Sequence, residues 1–182
     1  TDGKSSIKIT LNVPVDNGKT RGLIYGPDEV PVDGESEIKD IYVLAFDKES
    51  KSYLGKIQSY ITNNTLVANV NLTEDEFKEL TIVVLTNLEK LTNGYEIIGQ
   101  INAFEKGAQS KEEILKSLKY TFNEIWDLNG RPLPMWGETD ITPVRNSIAT
   151  GEVNLYRAIS KINVVVNYGK GRKKDGVEVF KL

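Results

Sequence analysis

The chain contains no cysteine and no histidine, and these two absences remove most of the familiar chemistry of enzymes. Without thiols there are no disulfides, no thiolate metal sites and no cysteine nucleophile; without imidazole there is no histidine triad, metal ligand or general base. Paired carboxylates of the glycosidase kind survive in principle, because 26 Asp and Glu remain, but no pair of them is marked out by its surroundings. An enzyme is therefore the least favoured class, and no catalytic residue, metal or cofactor is nominated. Long apolar runs are also lacking, since no stretch reaches the roughly 18 residues that a membrane-spanning helix needs. Nor is there an excess of one charge: at −3, with a pI near 5.2, the chain has no field that would gather nucleic acid or an anionic membrane.

What is present is an ordinary globular composition, 39% hydrophobic and 27% charged over 182 residues, enough for one domain or two small ones. A start at Thr1 rather than Met is expected of a processed chain or a fragment.

The patterning is that of strands. Ile7, Ile9, Leu11, Val13 and Val15 alternate with mostly polar residues, as in a half-buried strand, and Asp16-Asn17-Gly18 then forms a turn. "IKDIYVLAFD" (38–47) and "SYLGKIQSYI" (52–61) read as a hairpin around "KESK". "TLVANVNL" (65–72) alternates again, and "TIVVLTNL" (81–88) is an apolar run of strand length. The spacing Thr73-x-x-Glu76 predicts a short helix over "EDEFKEL", and Ser110-x-x-Glu113, followed by Ile114, Leu115 and Leu118, predicts another within an irregular excursion at 89–125. A long β segment at 151–169 and a final strand at 177–182 close the pattern. Within the former, Val153 and Leu155 share one parity while Ile162, Val164 and Val166 take the other. A bulge or a corner between sheets near Arg157-Ala158-Ile159 corrects that phase. Many short strands with intervening turns predict an all-β antiparallel sandwich with short interposed helices.

Several local motifs dissolve on inspection. Asp127-x-Asn129-Gly130 with Glu138 has the outline of a calcium loop, but Arg131 cannot ligate a cation and Pro132 stands where the sharp turn needs glycine. The run "GKGRKKDG" (169–176) lacks the Ser/Thr of a phosphate loop and any aromatic for base stacking, so it reads as a solvated turn. Glu74, Asp75, Glu76, Glu112 and Glu113 fall in first turns of predicted helices, where the macrodipole favours negative charge.

"LPMWGE" (133–138) stands apart, because it sets the sole methionine and one of two tryptophans between a proline and a glycine. Pro134 is admissible at a strand start, where no ladder donor is required, so Met135 and Trp136 are expected in the core or at its rim. In order, "IKDIYVLAFD", "LPMWGE" and "VNLYRAISKINVVV" resemble the fimbrillin family of Bacteroidales, the FimA-like subunits of type V pili. In that family a strand ending in Phe-Asp, an "LPM-x-G" segment and an "R-A-x-A-K-I" strand follow at similar spacings. Here Ser160 replaces the usual alanine before Lys161-Ile162.

The resemblance spans about residues 38–166 and implies a transthyretin-like sandwich, the N-terminal of two domains. Met135, Trp136, Ala158 and Ile162 are then its core markers. "VEVFKL" falls where a second domain would start, so residues 1–182 are expected to form a single first domain without its partner. The resemblance also implies a life history: export as an outer-membrane lipoprotein precursor, cleavage at the cell surface by an arginine-specific protease after the first strand, and insertion of a neighbouring subunit's strand in its place. Arg21-Gly22 in "KTRGLIYG" is the matching processing position, which makes 1–21 a removable first strand and processing loop. The implied partners are other fimbrial subunits and that protease. The alternative is a tip adhesin or surface lipoprotein that binds glycan or a host protein with the same sandwich, and an anchor subunit would be expected to keep its leading strand.

Overall fold

A computed structural model describes residues 3–13, 37–62, 65–72, 78–119 and 132–158. Among these residues nine strands and two helices occur in the order β1 (Gly3–Asn12), β2 (Ile41–Asp47), β3 (Tyr53–Ile57), β4 (Ser59–Thr62), β5 (Thr65–Leu72), β6 (Leu80–Thr86), α1 (Gly94–Ala103), α2 (Lys111–Ser117), β7 (Met135–Ile141), β8 (Ile148–Asn154) and β9 (Tyr156–Arg157). They build an all-β sandwich of two sheets, ordered β4-β5-β1-β8 and β3-β2-β6-β7-β9. Every pairing is antiparallel except β1 with β8, which run parallel. Parallel neighbours need a long connection, and these two lie at opposite ends of the described chain.

Two apolar layers hold the sheets. The first lies between them and takes alternate residues of the strands that face it, including Ile7, Ile9, Leu66, Ala68, Val43, Ile82, Val84, Met135 and Val153. The second covers the outer face of the five-stranded sheet with the helices, joining Leu44, Phe46, Val83 and Leu85 to Ile97, Ile101 and Ile114. Strand β6 is consequently buried along its whole length, which is why its sequence is a continuous apolar run rather than an alternation.

The expected hairpin forms only in part. Strand β3 pairs with β2, with Leu54 as the extra residue of a bulge between Gly55, opposite Ala45, and Tyr53, opposite Phe46. The chain then leaves at Gln58, and β4 joins β5 in the other sheet. The turn before β3 is built by Asp47, whose carboxylate accepts from the Ser50 backbone at 2.7 Å while its carbonyl accepts from Lys51 at 2.9 Å.

In the 89–125 excursion, Ser110 caps α2 as its spacing predicts: its hydroxyl accepts from the Glu113 amide, and the Glu113 carboxylate accepts from the Ser110 amide at 2.8 Å. The Thr73 capping box lies outside the described residues, and the helix expected to run to residue 80 is corrected at its end, because Leu80 opens β6. The chain changes sheets at Leu155, between β8 of one sheet and β9 of the other; the phase change expected near Arg157-Ala158-Ile159 rests on Ile162, Val164 and Val166, which lie outside the described residues. Strand β8 also begins at Ile148, three residues before the expected start. Residues 159–169 and the expected final strand lie outside the described residues.

Candidate strand-exchange site

Strand β1 occupies the interior of the four-stranded sheet. It pairs with β5 from Gly3 opposite Leu72 to Thr10 opposite Thr65, and with β8 from Ser6 opposite Ile148 to Asn12 opposite Asn154. Both of its backbone edges are therefore engaged. The predicted alternation holds: Ile7, Ile9 and Leu11 are at most 3% exposed, while Lys8, Thr10 and Asn12 face outward. Val13 packs against the same core, and Val15 lies outside the described residues.

The seats of these side chains differ in their walls. Ile7 is flanked by Ala68 on β5 and Ala149 on β8, Ile9 by Leu66 and Gly151, and Leu11 by Val153 on β8. On the outer face, the Ser6 hydroxyl donates to Asn69 Oδ1 at 3.0 Å and Asn12 Nδ2 donates to Asn154 Oδ1 at 3.0 Å. Beyond them, the Leu155 amide donates to the Asn12 carbonyl at 2.9 Å.

The expected processing pair, Arg21 and Gly22, lies outside the described residues, as does Ile162. Of the marker residues, Met135 is fully buried between the sheets. Trp136, expected in the core or at its rim, is corrected by the strand's alternation: it points to the opposite face and is 39% exposed, its ring 6.3 Å from that of Tyr156 on β9. Ala158 is exposed as well, although its amide continues the β7 pairing by donating to the Pro134 carbonyl at 2.9 Å. Pro134 does stand just before the strand, where its missing donor costs nothing.

An open depression is lined by Asp47, Lys48, Glu49, Lys51, Lys78 and Glu79. Beside it Lys48 bridges Glu79 at 2.8 Å and Asp140 at 3.1 Å. The Thr81 hydroxyl, donating to Asp140 at 2.7 Å, is the main reason that carboxylate is held below its ordinary range, with Lys48 assisting. These contacts tie β2, β6 and β7 together across their exposed ends. Among the described residues no three His, Cys, Asp or Glu are placed to hold a metal.

One polar centre escaped the sequence reading. Asn87 is fully buried with φ at 61°. Its side chain accepts from the Lys39 amide at 2.8 Å and donates to the carbonyls of Glu37 at 2.8 Å and Leu133 at 2.6 Å. Next to it Asp40 accepts from the Leu88 amide at 2.7 Å, and burial raises its pKa against the pull of that bond. The same burial, with Asp40 and Glu89 nearby, pushes the Tyr42 hydroxyl up to about 12. The signal available was the Thr-Asn pair interrupting an apolar run at 86–87.

The model of the fimbrillin-A associated anchor proteins Mfa1 and Mfa2 matches residues 9–180. The chain belongs to that family. Membership in Mfa1/Mfa2 places it among fimbrium-associated proteins, so the fimbrial resemblance holds at family level. Among curated proteins nothing matches. Among solved structures the chain is similar to the tip fimbrial protein Mfa3 of Porphyromonas gingivalis with C-terminal truncation, at 12% identity and a TM-score of 0.44, over 85% of this chain and 48% of that one. It is also similar to a protein of Bacteroides eggerthii described as a candidate for cell adhesion, at 15% identity and a TM-score of 0.43, over 84% of this chain and 40% of that one. The chain thus spans less than half the length of each of these relatives.

Proposed function

We propose that the chain is a structural subunit of a cell-surface fimbrium, exported as an outer-membrane lipoprotein precursor and made competent when an arginine-specific protease cuts between Arg21 and Gly22. Cleavage frees β1, and a strand from a neighbouring subunit takes its place. The observation that carries this reading is the position of β1: the first strand of the chain is an interior strand of its sheet, paired on both edges. Taking it away uncovers two backbone ladders and the seats of Ile7, Ile9 and Leu11 together. An alternating donor strand restores both at once, which is β-strand addition. Such a role asks nothing of catalytic groups, and it fits the family's fimbrial association.

The test is an Arg21→Ala precursor beside the wild type, both treated with an arginine-specific protease. The wild type is expected to acquire a new N-terminus at Gly22 and to polymerise, and the variant to stay intact and unpolymerised. Polymers of the variant with the first strand still attached would overturn the mechanism. The family description supplies a second reading, an anchor subunit that keeps β1 in place. N-terminal sequencing of the chain recovered from assembled fimbriae separates the two, since an anchor would carry its leading strand uncut.

A further inference from the structure

The geometry points to a specific code for the strand that replaces β1: a short hydroxyl or amide side chain, three large aliphatic residues at alternate positions, and a closing amide, in the pattern shown by Ser6-Ile7-Lys8-Ile9-Thr10-Leu11-Asn12. This inference rests on the strand-replacement reading and adds the partner's chemistry to it.

The aliphatic part of the code comes from the walls of the groove. Alanines flank the first seat on both sides, and Gly151 flanks the second. Small walls leave wide seats, so a large side chain must come from the inserted strand itself if the core is to close at interior density. A Cβ on residue 151 would meet Ile141 Cδ1 at 3.4 Å, an ordinary contact, so the bare glycine leaves that part of the second seat to the inserted side chain. A donor with small residues at these positions would leave voids in the core that Ile7 and Ile9 share with both sheets.

Alternation alone does not fix register, since a slip of two residues preserves the apolar face. The polar part of the code does. Ser6 bonds to Asn69 at one end of the strand and Asn12 bonds to Asn154 at the other. One pin lies on β5 and the other on β8, so both neighbours are consulted. A two-residue slip would set Lys4 opposite Asn69 with Thr10 opposite Asn154, or Lys8 opposite Asn69 with Pro14 opposite Asn154, and neither Ser6–Asn69 nor Asn12–Asn154 would form. The donor must also run parallel to β8 and antiparallel to β5, as β1 does.

The test uses the full chain with a specific protease site inserted at Arg21, nicked so that the fragment stays seated, and labelled synthetic peptides covering residues 3–13 as displacing strands. The wild-type peptide and the outward controls Lys8→Ala and Thr10→Ala are expected to exchange alike, while Ile9→Ala is at least about tenfold slower, a factor worth 1.4 kcal/mol. Register is read by cross-linking, which the absence of native cysteine makes clean. With Val67→Cys in the chain, a peptide carrying Lys8→Cys is expected to form a disulfide and one carrying Thr10→Cys is not, because Lys8 faces Val67. Adding Ser6→Ala and Asn12→Ala to both peptides is expected to let position 10 cross-link as well. Equal exchange by Ile9→Ala and Lys8→Ala peptides would overturn the aliphatic code, and unchanged cross-linking without the pins would overturn the polar one. If no peptide displaces the fragment, the strand-replacement reading falls and the code falls with it.

Discussion

Asn87 shows how much one side chain can organise. It answers three backbone groups from two separate segments, 37–39 and 133, while itself fully buried. Asn tolerates its left-handed backbone better than most residues. Replacing Asn87 with Ala takes this partner from one amide and two carbonyls, of which the Leu133 carbonyl is in a fully buried bond; since a buried unmet group costs about 1–3 kcal/mol, the expected loss is at least about 1 kcal/mol. Urea unfolding measures it, and a loss below about 1 kcal/mol would mean that water reaches these groups. Asp140 makes a different residue-scale prediction. Its folded pKa lies below the ordinary 3.8, chiefly through the Thr81 hydroxyl. The stabilisation is therefore present above 3.8 and disappears as pH falls through the lower, folded value. Asp140→Asn should be less stable than wild type at neutral pH, and the gap should narrow in acid. Urea midpoints at about pH 7 and about pH 2 check the sign, and a gap that widened in acid would contradict it.

Among the elements, β7 meets the end of β8 at close quarters. A Cβ on Gly137 would collide with the Asn154 carbonyl oxygen and touch Val153 Cγ2 at 3.0 Å. The obstacle is backbone at the corner where the chain changes sheets, so it cannot swing aside. Gly137→Ala is expected to cost about 1–3 kcal/mol, and to do so by loosening the β7–β9 pairing, which a fall in Trp136 burial would report by fluorescence. Elements governed by local rules were legible in the sequence: the alternation of β1, the apolar run of β6, the cap of α2 at Ser110. The crossing at Gln58 was not, because Ile57 and Ile61 keep one parity through it and nothing in the pattern marks a change of sheet. Trp136 was misread for a related reason. Adjacent strand residues face opposite ways, so Met135 and Trp136 could never both point into the inter-sheet core. The pairing of β1 with β8 joins side chains 142 residues apart, and no local signal reaches that far. The functional site inherits this split: its inward residues Ile7, Ile9 and Leu11 were readable, whereas Ala149, Gly151 and the two polar pins depend on the distant pairing.

At the scale of the molecule, the proposed replacement raises the question of how β1 would depart. Full burial of each of its three described inward side chains is worth about 1.5–3 kcal/mol, so emptying the groove forfeits roughly 5–9 kcal/mol from apolar contact alone. That is comparable with the roughly 5–15 kcal/mol that separates a folded domain from its unfolded chain. The five-stranded sheet and its helices share a second apolar layer to which β1 contributes nothing, but β8 would lose the neighbour with which it is hydrogen-bonded, and β4 and β5 would keep only each other. An open groove is thus too costly to wait for a donor, and the proposed replacement would proceed with incoming and outgoing strands sharing the groove. The nicked chain is therefore expected to hold its N-terminal fragment for long periods in isolation, and to release it at a rate that rises with donor concentration. Stopped-flow or manual-mixing fluorescence of a labelled fragment gives that rate. A release rate independent of donor over a tenfold or wider range would show that the groove empties first, contrary to the balance of burial argued from Ile7, Ile9 and Leu11.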